Sequence, residues 1–108
     1  MQTFFDRRWH SSSDTFDVIN PFDQQVIAKV SSCTAEDIDR AVTGLTSGAK
    51  TMRATPAWRR AEILSKAAGL LKENRARLAE QLSREEGKPL RESLAEVDRS
   101  ATTLQLSA

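Results

Sequence analysis

The segment Leu82 to Ser93 reads LSREEGKPLRES, and its centre fixes more about this chain than any other stretch. Charged, helix-favouring residues stand on both sides, yet Gly87-Lys88-Pro89 interrupts them. Glycine after the last helical residue takes the left-handed conformation without the Cβ penalty, and so ends a helix cleanly. Lys88 precedes proline and is driven towards extended geometry. Pro89 has no amide hydrogen, which costs nothing at the first position of a new helix. Leu90, Leu94, Val97, Ala101 and Leu104 then recur at steps of 4, 3, 4 and 3, an apolar seam on one helical face. The spacing predicts two helices meeting at a corner. A phosphate-binding loop with the same Gly-Lys pair needs glycine at the position of Leu82 and a hydroxyl residue at that of Pro89, so that reading fails.

Upstream of the corner, Pro56 to Glu86 carries an apolar stripe of Ile63, Ala67, Leu70, Leu71, Leu78 and Leu82. Some thirty residues exceed an ordinary globular helix, and the polar run Lys72 to Arg75 predicts a break into two. Ala54-Thr55-Pro56 predicts a helix start with Thr55 as N-cap and Pro56 at the first position. Before it, Ile38, Ala41, Val42, Leu45, Ala49 and Met52 share a face from Thr34 onward. Thr34 and Asp37 form a capping box with aspartate in place of glutamate, while Gly44 and Gly48 weaken the second half of this helix.

The first 33 residues follow a period of two. Thr3 to His10 predicts a small strand or tight hairpin around Asp6-Arg7-Arg8. Thr15 to Pro21 and Val26 to Val30 read as an antiparallel pair joined by a turn at Phe22 to Gln25. The expected architecture is therefore α+β: an N-terminal antiparallel strand pair (residues 1–33, with loops) followed by three to four amphipathic helices (residues 34–108).

Sixteen basic against fifteen acidic residues give a net charge of +1, with no basic stripe to attract nucleic acid. No apolar run is long enough to span a bilayer, and the first residues lack a secretory signal's apolar core. One cysteine, Cys33, permits no internal disulfide and suits the cytoplasm. One cysteine and one histidine also exclude a Cys/His metal array.

The order of these pieces resembles the N-terminal region of the aldehyde dehydrogenase superfamily. The residues that carry the likeness are VINP, then VIAKV, TAEDIDRAV, and the run from ATPAWRRAEILSKAAGLL through EEGKP to Glu96-Val97. Within the superfamily they look closest to the lactaldehyde, succinate-semialdehyde and non-phosphorylating glyceraldehyde-3-phosphate branch. The resemblance implies a parent about four times longer, of α/β fold with a Rossmann-type cofactor domain, of which residues 1–108 form the N-terminal part. Such enzymes oxidise aldehydes to acids with NAD or NADP through a cysteine hemithioacetal, a glutamate-activated water and an oxyanion site. Their expected partners are the aldehyde, the remainder of the polypeptide and other copies in a homo-oligomer, with neither nucleic acid nor membrane.

None of that machinery matches residues here. Gly44, Gly48, Gly69 and Gly87 do not make the dinucleotide fingerprint. The expectation is a fragment, inactive alone, with no catalytic, cofactor-binding or metal residues of its own. Cys33 lies just ahead of a helix start, where thiols can be activated, but the family's nucleophile is far downstream. His10 has no nucleophile or carboxylate placed with it. Glu85 and Glu86 are helical neighbours that point apart. The resemblance further implies, for some members, a monovalent cation held by the carbonyls of Val18 and Ile19 and the carboxylate of Glu96. Arg7 departs from the family's usual glycine, which argues against a two-residue primed hairpin there. The competing reading is a self-sufficient α+β interaction module, which would unfold cooperatively as a monodisperse monomer. A fragment would instead expose dye-binding apolar surface and be poorly soluble or loosely packed.

Overall fold

The computed structural model describes all residues, Met1–Ala108, as two antiparallel strand pairs followed by four helices. The α+β architecture is the expected one. The chain divides into two units, Met1–Ile19 with Gln25–Ala54, and Asn20–Gln24 with Thr55–Ala108.

In the first unit, β1 (Thr3–Phe5) and β2 (Arg8–His10) pair in the register Thr3↔His10, Phe4↔Trp9, Phe5↔Arg8. The loop between them has only two residues, Asp6 at φ 49° and Arg7 at φ 61°. Both φ are positive, the sense that matches strand twist in a primed hairpin. This corrects the expectation drawn from Arg7. The cross-strand rings of Phe4 and Trp9, 4.9 Å apart and tilted at 57°, hold the pair against the strain at the turn.

Strands β3 (Thr15–Ile19) and β4 (Val26–Ser31) pair antiparallel, Asp17 facing Lys29 with an ion pair at 3.3 Å. Val18 pairs with Ala28 but Ile19 with Val26, so Ile27 is the extra residue of a β-bulge. Helix α1 (Ala35–Ala54) begins at the anticipated box. The Thr34 hydroxyl accepts from the Asp37 amide at 3.1 Å, and the Asp37 carboxylate accepts from the Thr34 amide at 2.9 Å. Gly44 and Gly48 do not interrupt it over twenty residues. No residue of α1 is buried, and Ile38, Val42, Leu45 and Met52 are all at least half exposed.

The second unit holds α2 (Ala57–Glu73), α3 (Arg75–Glu86) and α4 (Leu90–Leu106), with α4 packed against the other two. The expected break falls at Asn74, φ −97° and ψ 12°, whose side-chain amide donates to the Leu70 carbonyl at 2.9 Å. Both prolines sit one residue earlier than expected relative to their helices. Pro56 and Pro89 are the N-caps, with ψ of 149° and 139°, and neither helix has a side-chain cap. Their carbonyls take the first helical bonds, from Arg59 and Arg60 and from Glu92 and Ser93. Proline's fixed φ serves either position, so the sequence leaves this register open.

The core is built of small residues: Ala68 of α2, Ala79 of α3, and Ser93, Val97 and Ala101 spaced every four residues on α4. Small side chains let helix backbones approach closely. Ser93 is fully buried and satisfied by Ser83 across the corner, Oγ to Oγ 2.8 Å. The expected α2 stripe is rotated: Ala68 faces inward, while Ile63 and Leu70 remain about half exposed.

Candidate functional site

The corner between α3 and α4 concentrates the charge interactions of the second unit. Gly87 adopts φ 71°, ψ 14°, the left-handed end expected of it, and its amide donates to the Ser83 carbonyl at 2.8 Å. A Cβ on Gly87 would lie 2.6 Å from Cγ of Pro21, so the turn Asn20–Gln24 closes over the glycine. That turn is itself fixed by Asn20, whose Oδ1 accepts from the Phe22 amide at 3.0 Å. With Gly87 so seated, Lys88 turns its ammonium to two carboxylates. Its Nζ is 2.6 Å from Glu86 at the end of α3 and 2.6 Å from Glu96 in α4.

Those contacts set the local proton affinities. Hydrogen bonds first to Glu86 and then to Glu96 raise the Lys88 pKa, and the Lys88 bond lowers that of Glu96. Glu85 turns away and accepts from Gln81 at 2.8 Å, so Glu85 and Glu86 do diverge. A groove of about 310 Å³ runs beside the corner, floored by Leu71, Leu78, Leu82 and Val97 with Glu85 and Glu96 on its rim. Farther along, Arg75 forms a two-pronged pair with Asp98, Nε to Oδ1 at 2.6 Å and Nη2 to Oδ2 at 2.7 Å. The hydrogen bond from Arg75 lowers the Asp98 pKa, and Asp98 in turn raises that of Arg75. An arginine at a helix N-terminus has the wrong sign for the helix dipole, and Asp98 neutralises it.

The first unit gathers His10 and Cys33 at one small recess of about 70 Å³, together with Ser12, Ser31, Asp37 and Arg40. The recess is not a catalytic dyad. The His10 ring stacks on Phe5 at 3.8 Å, and its Nε2 lies 3.2 Å from the Phe5 carbonyl, which makes that nitrogen the donor. Arg40 lies over the same Phe5 ring at 5.3 Å and pairs with Asp37. The Thr34 amide first, then Arg40 and the Thr34 hydroxyl, hold the Asp37 carboxyl well down, at about 2. Cys33 is exposed, with no disulfide partner.

The sequence-level candidate for a cation divides between units: Val18 and Ile19 in β3, Glu96 in α4. Glu96 is not a free ligand, because Lys88 holds it. No group of three or more His, Cys, Asp or Glu side chains is disposed to hold a metal ion. A dinucleotide does not fit these elements either. All four strands belong to two-stranded antiparallel sheets, so no parallel strand–helix–strand crossover exists to present a helix N-terminus to a pyrophosphate. The single glycine with positive φ, Gly87, is covered by Pro21. The sequence reading missed two pairs here, Lys88–Glu96, from the corner to α4, and Arg75–Asp98, from α3 to α4, and no helical spacing signals either.

What the arrangement offers is a charged, cross-braced scaffold, and its order of strands and helices recurs in known proteins. A profile described as the aldehyde dehydrogenase family matches residues 9–108. The NADP-dependent glyceraldehyde-3-phosphate dehydrogenase of Arabidopsis thaliana is 36% identical over 107 residues, 97% of this chain and 22% of that protein. The 3-sulfolactaldehyde dehydrogenase of Priestia aryabhattai is 39% identical over 100 residues, 93% of this chain and 20% of that one. Aldehyde dehydrogenase 21 of Physcomitrella patens, solved with the reaction product succinate, superposes with a TM-score of 0.93 at 31% identity, again covering 97% of this chain and 22% of the other. A point mutant of betaine aldehyde dehydrogenase from Staphylococcus aureus, solved with NAD+, superposes with a TM-score of 0.92 at 30% identity and the same coverage. The chain thus spans about a fifth of the length of the relatives it matches. The family match runs from within the second strand to the end of the last helix, and the chain belongs to the aldehyde dehydrogenase family.

Proposed function

We propose that these 108 residues are the N-terminal scaffold of an NAD- or NADP-dependent enzyme that oxidises an aldehyde to a carboxylic acid through a cysteine hemithioacetal. The nucleophile, the glutamate that activates water, the oxyanion donors and the dinucleotide site then belong to polypeptide other than these residues. Residues 1–108 are one part of a single dehydrogenase domain, which works as a homo-oligomer in the cytoplasm. No helix here is long and apolar enough to cross a membrane. The relatives named for glyceraldehyde-3-phosphate and 3-sulfolactaldehyde both act on short aldehydes bearing an anionic group, and the same substrate class is proposed for the complete enzyme.

One observation carries this reading: the match takes in 97% of this chain but only 22% of the relative. A self-sufficient module would not share nearly all of itself with the opening of a larger enzyme while leaving α1 with no buried residue. The test is aldehyde-dependent formation of reduced nicotinamide. The purified 108-residue chain, given an aldehyde with NAD or NADP, is expected to form none. A chimera in which these residues replace the matching segment of the Arabidopsis relative is expected to be active. Turnover by the chain alone refutes the proposal, and so does a folded, cofactor-binding chimera that cannot turn over.

A further inference from the structure

For some members the resemblance implies a monovalent cation held by Val18, Ile19 and Glu96, yet the structure shows a positive charge already bonded to the Glu96 carboxylate. Lys88 Nζ lies 2.6 Å from Oε2 of Glu96 and 2.6 Å from Oε2 of Glu86. The Lys88 side chain is 22% exposed, less than either Glu86 at 49% or Glu96 at 39%, so it is the most enclosed side chain of the trio. Arg99 adds a second positive charge near Glu96. Three structural features aim the lysine. Gly87 turns the chain left-handed, Pro21 closes over it, and Pro89 starts α4. An alkali cation seeks the same hard carboxylate oxygen. To bind at Glu96 it must displace an ammonium held by two charge-assisted bonds, or sit against that ammonium and be repelled.

We propose that Lys88 is the resident cation of this corner, taking at Glu96 the place of an alkali ion and tying the end of α3 to α4. A lysine does this without an ion being drawn from solution, because its charge is delivered by the backbone turn that also sets the corner. The carboxylates of Glu86 and Glu96 then serve as a fork for Lys88, and Glu96 carries no metal.

The experiment compares the 108-residue chain in sodium, potassium and tetramethylammonium chloride at equal ionic strength. Two readouts are used, the thermal midpoint of helical circular dichroism and the linewidth of the sodium NMR signal. The native chain is expected to show the same midpoint in all three salts and no sodium broadening beyond that of Glu96→Gln. Lys88→Met is expected to lower the midpoint by about 2–5 °C, and Lys88→Arg, which keeps the charge, by less. A native chain with a higher midpoint in sodium or potassium, or with sodium broadening that Glu96→Gln removes, overturns the proposal. So does a folded Lys88→Met whose midpoint is unchanged. Should Lys88→Met fail to fold, the native chain against Glu96→Gln still decides.

Discussion

Two residues with positive φ show how the same backbone demand is met at different cost. Arg7 at φ 61° occupies a region where a residue with a Cβ is disfavoured by roughly 1–2 kcal/mol, and the β1–β2 pairing with its tilted Phe4–Trp9 contact offsets that cost. Gly87 at φ 71° carries no such strain, and it is also under steric constraint: an added Cβ would meet Pro21 Cγ at 2.6 Å. Gly87→Ala is therefore expected to destabilise the chain in urea unfolding by more than the ~1 kcal/mol of the left-handed penalty alone. The excess belongs to Pro21. Placing Pro21→Ala in the Gly87→Ala background should recover that excess and leave the conformational part, a coupling that a double-mutant cycle reads directly. An alanine at 87 as stable as the native glycine would remove both the strain and the close approach from the account.

At the scale of elements, the capping box of α1 is the feature whose contribution pH can switch. The Asp37 carboxyl, held at about 2 in the fold, lies below its ordinary value of 3.8. A depressed carboxyl stabilises the folded state fully above its unfolded pKa and loses that contribution as the pH falls through the folded one. The stability difference between the native chain and Asp37→Asn is therefore expected to be constant above about pH 4 and to shrink between about pH 4 and 2. Glu96 and Asp98, also lowered by their partners, lose contributions in acid as well, so the comparison with Asp37→Asn is what isolates α1. Identical acid profiles for the two proteins would show that the box does not hold the helix. The box was legible because its chemistry lies within four residues, as were the Asn74 break and the Gly87 stop. The register of Pro56 and Pro89 was not, since proline's φ suits the cap and the first turn equally. Nor was the packed face of α2: Ile63 and Leu70 satisfy the helical period as well as Ala68 does, and the position of α4 selects among them. Lys88–Glu96 and Arg75–Asp98 depend wholly on where the corner sends α4.

Across the whole molecule, the buried apolar residues are Ala68, Ala79, Val97 and Ala101, while Leu71, Leu78, Leu82 and Leu94 are half-buried and many other large ones lie outside. Leu45 is 72% exposed, Leu106 84% and Phe22 91%. Isolated apolar residues on a surface are ordinary, but on α1 the face is continuous: Ile38, Val42, Leu45 and Met52 follow one stripe on a helix without a single buried residue. A helix of this length in water draws most of its stability from packing such a face, and both glycines in α1 weaken it further. The chain should therefore bind a hydrophobic fluorescent dye strongly under native conditions. Val42→Gln with Leu45→Gln is expected to cut that fluorescence while far-ultraviolet circular dichroism stays nearly constant, because positions more than half exposed on α1 lose little packing when they become polar. Joining the chain to the remainder of the Arabidopsis relative should suppress the dye signal in the same way, if the stripe is the face that a dehydrogenase body covers. A native chain that leaves the dye dark would mean that its apolar side chains have already closed on one another in solution, and the case for a missing body would lose its physical basis.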